Sequence, residues 1–213
     1  MTAVLGKMQR MLSDLHDVDV GLDVRDYLIG KRRRLRMPGA VDGIPEQLFV
    51  RSHGDNVEVA LYVDPDIVRR LNKADLRDRL RQGALDDFCV ALEGVSHFQM
   101  VAWRGMHGGH VSALELELQS EVDKFVCAWL LLDASGRLDA PTGKALWHQI
   151  FAAWTLRDDV PAFERSRYQA ASQAAATYCK GLMKRHARST VNNLLGDVRR
   201  HYRLGPGEKL RPV

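Results

Sequence analysis

The chain has 213 residues, of which 46% are apolar and 27% charged, and its formal net charge is +4. This composition is ordinary for a folded protein, so it excludes a disordered chain and a collagen-like one. The longest uncharged apolar stretch is far shorter than the roughly 20 residues of a membrane span, and no membrane association is expected. Three scattered cysteines exclude a disulfide scaffold and favour a reduced, cytoplasmic protein.

The first part of the chain predicts a helix, a strand, a basic loop and a β-hairpin. Apolar residues recur at helical spacing over residues 4–15, and a short strand is expected over 24–29. Residues 31–36 read KRRRLR and precede several prolines and glycines, which predicts a loop. Alternating apolar residues over 47–63 flank the turn sequence His-Gly-Asp-Asn at 53–56, which predicts a β-hairpin with one buried face.

The rest of the chain is predicted to be helical. Asp64 and Pro65 have the chemistry of a helix N-terminus, and Ser112 stands at capping-box spacing from Glu115. The apolar periodicity predicts further helices over residues 84–103, 112–132 and 143–156.

Residues 162–203 contain no proline and form either one long helix or two helices. A single helix of this length would span about 63 Å, which favours a break near Gly181 or Gly196. The tail over 204–213 is expected to be extended.

These elements predict an α+β fold in which a small N-terminal antiparallel sheet packs on a larger C-terminal helical bundle. We expect an N-terminal helix and hairpin subdomain over residues 1–83, and a helical bundle with a basic C-terminal helix and tail over 84–213. Because a lone hairpin is marginally stable in water, the two parts are expected to form one cooperative unit.

Positive charge is concentrated in two segments. Residues 162–213 hold eleven Lys and Arg against three acids, a net charge of +8, so the remaining residues carry −4. Clustered cations attract polyanions, which predicts a nucleic acid or an acidic protein as the partner. The alternative is a solvated basic face, or one that docks on acids of the same chain. The candidate binding residues are Lys31, Arg32, Arg33, Arg34, Arg36, Lys180, Lys184, Arg185, Arg188, Arg199, Arg200 and Arg203.

Two predicted helices carry polar residues on apolar faces. Glu93 and His97 are four residues apart and share one face of the helix over 84–103, while Glu117 and Glu121 share a face of the next helix. Carboxylates and an imidazole between helices are donors of a metal site, although the Glu-x-x-His pairs of four-helix di-metal proteins are absent from the sequence. The favoured interpretation is a structural cluster in which Glu121 pairs with His97 or Lys124, and the metal site is the alternative.

The sequence contains no recognisable catalytic motif, and no cofactor is expected. Its charge pattern favours a non-catalytic binding or adaptor protein, a subunit of a cytosolic complex that contacts nucleic acid or an acidic protein partner. One alternative is a helical-bundle metal-binding protein or enzyme centred on the Glu/His residues. Another is a homo-oligomer assembled through the long C-terminal helix.

Overall fold

A computed structural model of the chain describes residues 2–54, 56–133, 138–152, 162–186 and 189–210. Its two-stranded antiparallel sheet and numerous helices confirm the predicted α+β class. The chain divides into an N-terminal unit of Met1–Asp14 and Val18–Val111 and a C-terminal unit of Leu15–Asp17 and Ser112–Val213. This division differs from the domain boundary expected near residue 83, which stays a prediction.

The elements follow the chain in a simple order. Those up to Val111 are α1 (Ala3–His16), a 3₁₀ helix (Val24–Tyr27), α2 (Lys31–Arg34), β1 (Glu46–His53), β2 (Asn56–Val63), α3 (Pro65–Leu71), α4 (Leu76–Arg81) and α5 (Leu85–Met106). Those after it are α6 (Ala113–Leu132), α7 (Ala140–Trp147), a π-helical turn (His148–Ala152), α8 (Ala162–His186), α9 (Val191–Arg203) and α10 (Pro206–Lys209).

The hairpin differs from the expectation of one buried face. Its register pairs Glu46 with Val63 and His53 with Asn56, and α5 packs across both strands. Leu61 of β2 points at α5, whereas Tyr62 packs on the opposite face against Ile29. The second half of β2 is therefore buried on both faces, while the outer half of the hairpin is exposed on both.

Two predictions before the hairpin are wrong. Residues 24–27 form a 3₁₀ helix instead of a strand, because the Asp23 carboxylate accepts a hydrogen bond from the Arg25 backbone N–H and caps the turn. Within residues 24–29, only Leu28 makes an isolated bridge, which is parallel and pairs it with Leu61. The KRRRLR segment, expected to be a loop, begins with the short helix α2.

The helix starts predicted at Asp64 and Ser112 are confirmed. Asp64 caps α3 with Pro65 in the first turn, and the Ser112 hydroxyl accepts a hydrogen bond from the Glu115 N–H at the start of α6. In the C-terminal unit α6 packs along α8, and Phe125 and Trp129 of α6 are fully buried. The helix predicted over 143–156 begins earlier, at Ala140 after the Asp139 cap, and becomes a π-helical turn at His148. The last four residues of that prediction lie outside the described ranges.

The basic C-terminal segment forms two helices, but the predicted position of the break is wrong. Gly181 lies inside α8 and Gly196 inside α9. The described chain resumes after α8 at Ser189, and Thr190, in an extended conformation, precedes the first turn of α9. The tail is also not simply extended, because α10 forms with Pro206 in its first turn.

Candidate functional site

Arg34 fixes α2 on the hairpin. Its side chain is 1% exposed, and its guanidinium carbon lies 4.4 Å from the centre of the Tyr62 ring. The Nη1 group donates a hydrogen bond of 2.8 Å to the Ile44 carbonyl oxygen, and Nη2 lies 3.3 Å from a carboxylate oxygen of the exposed Asp42. A buried cation over an aromatic face is a packing interaction, so Arg34 positions its neighbours instead of facing solvent.

The other bases of the segment face solvent. Lys31, Arg32, Arg33 and Arg36 are all exposed, and none of them forms an ion pair with another residue in the described ranges. The short helix α2 and the two residues after it therefore present four cations within six residues. We call these four residues the α2 cations.

An apolar groove of about 660 Å³ lies beside the α2 cations. Tyr27, Met37 and Phe49 line it, and Arg33 and Arg51 contribute positive charge. Glu58, which lies opposite Arg51 in the hairpin register, contributes one negative charge. The groove extends to the exposed outer half of the hairpin. There Val50 and Val57 are 47% and 48% exposed, which is unusual for valines in a strand. The periodicity of the sequence could not predict this groove, because the groove depends on how far the hairpin extends beyond α5, the helix that packs on it.

The C-terminal bases are largely engaged within their own unit. The Asp197 carboxylate accepts hydrogen bonds from Arg185 at 3.1 Å and His186 at 2.9 Å, and Arg200 lies 3.6 Å away. Burial raises the pKa of Asp197, but the hydrogen bonds from His186 and Arg185 outweigh it and leave the pKa below its usual value.

Two further arginines cap the C-terminus of α1. Arg203 donates to the carbonyl oxygens of His16 and Asp17 at 3.0 Å, and Arg199 donates to that of Leu15 at 3.3 Å. Basic side chains at the end of a helix satisfy its last carbonyl groups. Of the remaining candidates, Lys180 and Lys184 are exposed and Arg188 lies outside the described residues.

The C-terminal unit also contains a buried polar cluster. Lys209 lies 3.3 Å from the Glu115 carboxylate and donates to Gln119 at 3.1 Å. Gln119 donates to Asp123 at 2.8 Å, and Asp123 lies 2.9 Å from Nε2 of His16. These groups belong to α1, α6 and α10, so the cluster ties together segments that are distant in the sequence.

The four Glu and His residues predicted as a metal site have different surroundings. Glu117 lies 4.0 Å from Arg167, and Glu121 forms an ion pair of 2.8 Å with Lys124, both within the C-terminal unit. Lys124 is one of the two partners that the sequence offered for Glu121.

Glu93 and His97 instead lie in the N-terminal unit beside Glu46, the first residue of β1. The potential ligand atoms of these three residues all lie within 4.8 Å of one another, and no other group of this kind occurs in the described part of the chain. The sequence did not indicate Glu46, because only the packing of the hairpin on α5 brings Glu46 next to Glu93 and His97.

Comparison of the chain with protein-family models, with curated proteins and with solved structures finds no match. Among the helices of the described segments, none has both the length and the apolar character required to cross a membrane.

Proposed function

We propose that this protein is a non-catalytic binding subunit of a cytosolic complex, and that it contacts an acidic protein partner through the α2 surface. The α2 surface comprises the α2 cations, Arg51 and the groove beside them. The observation that supports the proposal is the position of four solvent-exposed cations next to an apolar groove. The C-terminal bases support it less, since Asp197 already neutralises part of their charge.

The residue types on this surface favour a protein partner over a nucleic acid. Sites for single-stranded nucleic acid combine cations with exposed aromatic rings on which bases stack. The exposed apolar residues here are aliphatic: Leu35, Val50 and Val57 are each about half exposed. Tyr27 is half-buried and packs against Phe98, with ring centres 4.9 Å apart. Apolar anchors beside arginines are typical of protein interfaces, and complementary charge speeds association.

An affinity purification from the native host tests the proposal. The wild-type chain and the triple variant Arg32→Glu, Arg33→Glu, Arg36→Glu serve as baits, each with and without nuclease treatment. We expect the wild type to recover an acidic protein that survives nuclease, and the triple variant to lose it. Arg34 is left unchanged because it is buried, so the variant should retain its circular dichroism spectrum.

A matched control places the same kind of charge change on the other basic segment. Lys180→Glu with Lys184→Glu reverses two exposed C-terminal cations and should leave recovery of the partner unchanged. Recovery that disappears with nuclease would replace the protein partner by a nucleic acid. Equal recovery by all three baits would contradict a role for the α2 surface. A homo-oligomer remains the competing prediction, and light scattering at several concentrations measures it directly.

A further inference from the structure

We infer that Glu46, Glu93 and His97 form a binding site for a divalent transition-metal ion. The site lies where the first residue of β1 meets the middle of α5, and it is independent of the α2 surface. His97 is 7% exposed and the Glu46 side chain is 11% exposed, so two of the three groups are almost completely removed from solvent.

The spacing of the ligand atoms suits an ion. Nδ1 of His97 lies 3.8 Å from Oε1 of Glu46, which is longer than a hydrogen bond. Two ligands bound to one Zn²⁺ at roughly 2.0–2.2 Å are separated by about 3.4 Å at the tetrahedral angle. A shift of a few tenths of an ångström would therefore place both atoms on a common ion, and Glu93, four residues before His97 on the same helical face, supplies the third ligand.

The charges and donor atoms select the class of ion. A divalent cation offsets the charge of two carboxylates whose oxygens converge beside the imidazole. An imidazole nitrogen together with carboxylate oxygens is a donor set for Zn²⁺, Mn²⁺ or Fe²⁺, whereas Ca²⁺ and Mg²⁺ prefer oxygen alone. Three protein ligands leave at least one coordination position for water or another small molecule.

Gly94 gives the site its close helix–strand contact. A Cβ atom at this position would lie 2.8 Å from Cγ of Glu46, 2.9 Å from a methyl group of Leu61 and 3.0 Å from Oε1 of Glu46. All three distances are shorter than a van der Waals contact, so a side chain at position 94 would displace Glu46 or Leu61 from α5. The absence of a side chain at Gly94 thus leaves space for the carboxylate that completes the set of ligands.

Isothermal titration of the chelator-treated full chain with Zn²⁺ tests the inference, with elemental analysis after dialysis as a second measurement. We expect one equivalent of Zn²⁺ to bind tightly. Glu46→Gln and Glu93→Gln keep the side-chain volume but remove a charged ligand, and each should weaken binding at least tenfold, since even loss of an outer-sphere group typically weakens it ten- to a hundredfold. Gly94→Ala retains all three ligands and should also weaken binding by displacing Glu46.

The matched controls are Glu117→Gln and Glu121→Gln on α6, which test the other half of the alternative metal site that the sequence offered. They should bind Zn²⁺ as the wild type does. The inference fails if the folded wild type binds no tight equivalent, as checked by circular dichroism before titration. It also fails if Glu46→Gln and Glu93→Gln bind as tightly as the wild type, because the metal would then lie elsewhere. Substitution with Co²⁺ provides an absorption spectrum of the wild type that needs no variant to fold.

Discussion

The imidazole of His201 on α9 should make the stability of the protein depend on pH. It is 4% exposed and stacks on Tyr178 with ring centres 3.9 Å apart. Burial above all, and then the charge of Lys209, lower the pKa of His201 to about 3, while Asp123 partly opposes and His16 reinforces the shift. Among the described residues, neither ring nitrogen has a hydrogen-bond partner to stabilise the charged form.

The sign and size of the effect follow from proton linkage. The pKa of His201 is near 6.5 when unfolded and about 3 when folded. Below pH 6.5 the unfolded chain binds a proton that the folded chain does not, so stability is full above that pH and falls as the pH drops toward 3. When the pH falls from 7 to 5, protonation of this histidine in the unfolded chain should lower the free energy of unfolding by about 2 kcal/mol.

Urea denaturation at the two pH values, compared between wild type and His201→Phe, measures this contribution. Phenylalanine keeps the aromatic stacking on Tyr178 but does not titrate. The other histidines, including His16 and His186 beside their carboxylates, are common to both proteins and cancel in the comparison. We expect the wild type to lose about 2 kcal/mol more than the variant on acidification. An equal loss, or an NMR titration that gives His201 a pKa near 6.5, would refute the reasoning.

Two further predictions concern buried side chains. Arg34→Leu should lower the free energy of unfolding by roughly 3 kcal/mol in chemical denaturation, because it removes a desolvated cation–π contact and leaves the Ile44 carbonyl unpaired. The neighbouring Arg33→Leu should change it by less than about 0.5 kcal/mol, and similar losses in both variants would contradict the packing role. Cys127 and Cys179 are fully buried, and burial raises the pKa of both thiols, whereas Cys89 is only partly buried. Ellman's reagent should therefore label only Cys89 rapidly in the native protein and all three thiols in urea.

Local signals in the sequence were sufficient for most of the fold. The caps at Asp64 and Ser112 and the alternation across the hairpin depend on residues only a few positions apart, and the structure confirms these elements. The 24–29 segment has apolar residues suited to a strand, but the Asp23 cap turns its first half into a 3₁₀ helix. Periodicity records which residues are apolar, and it does not record how a local hydrogen bond competes with strand pairing.

The difference between local sequence signals and contacts formed in the fold also explains the prediction for the basic segment over residues 31–36. Five bases in six residues indicate a solvated stretch, and four of them are indeed exposed. The burial of Arg34 depends on Tyr62, a residue 28 positions away that faces α2 only after the hairpin has formed. Nothing in the run KRRRLR distinguishes its fourth residue from the others. Charge patterning thus predicts a cationic surface but not which arginine supports it.

The metal ligands show where sequence reasoning reaches its limit. Glu93 and His97 could be paired from the sequence because helical spacing alone places them on one face. Glu46 precedes Glu93 by 47 residues, and its position depends on the packing of β1 on α5, the hairpin register and the missing side chain of Gly94. Glu117 and Glu121 satisfied the spacing rule equally well, yet they lie beside Arg167 and Lys124. Spacing proposes ligands within one element, whereas the third ligand of a site is fixed by a contact between elements. A glycine inside a helix leaves room for a side chain from a neighbouring strand. Together with an acidic residue in that strand, it is a sequence feature that could indicate such a contact.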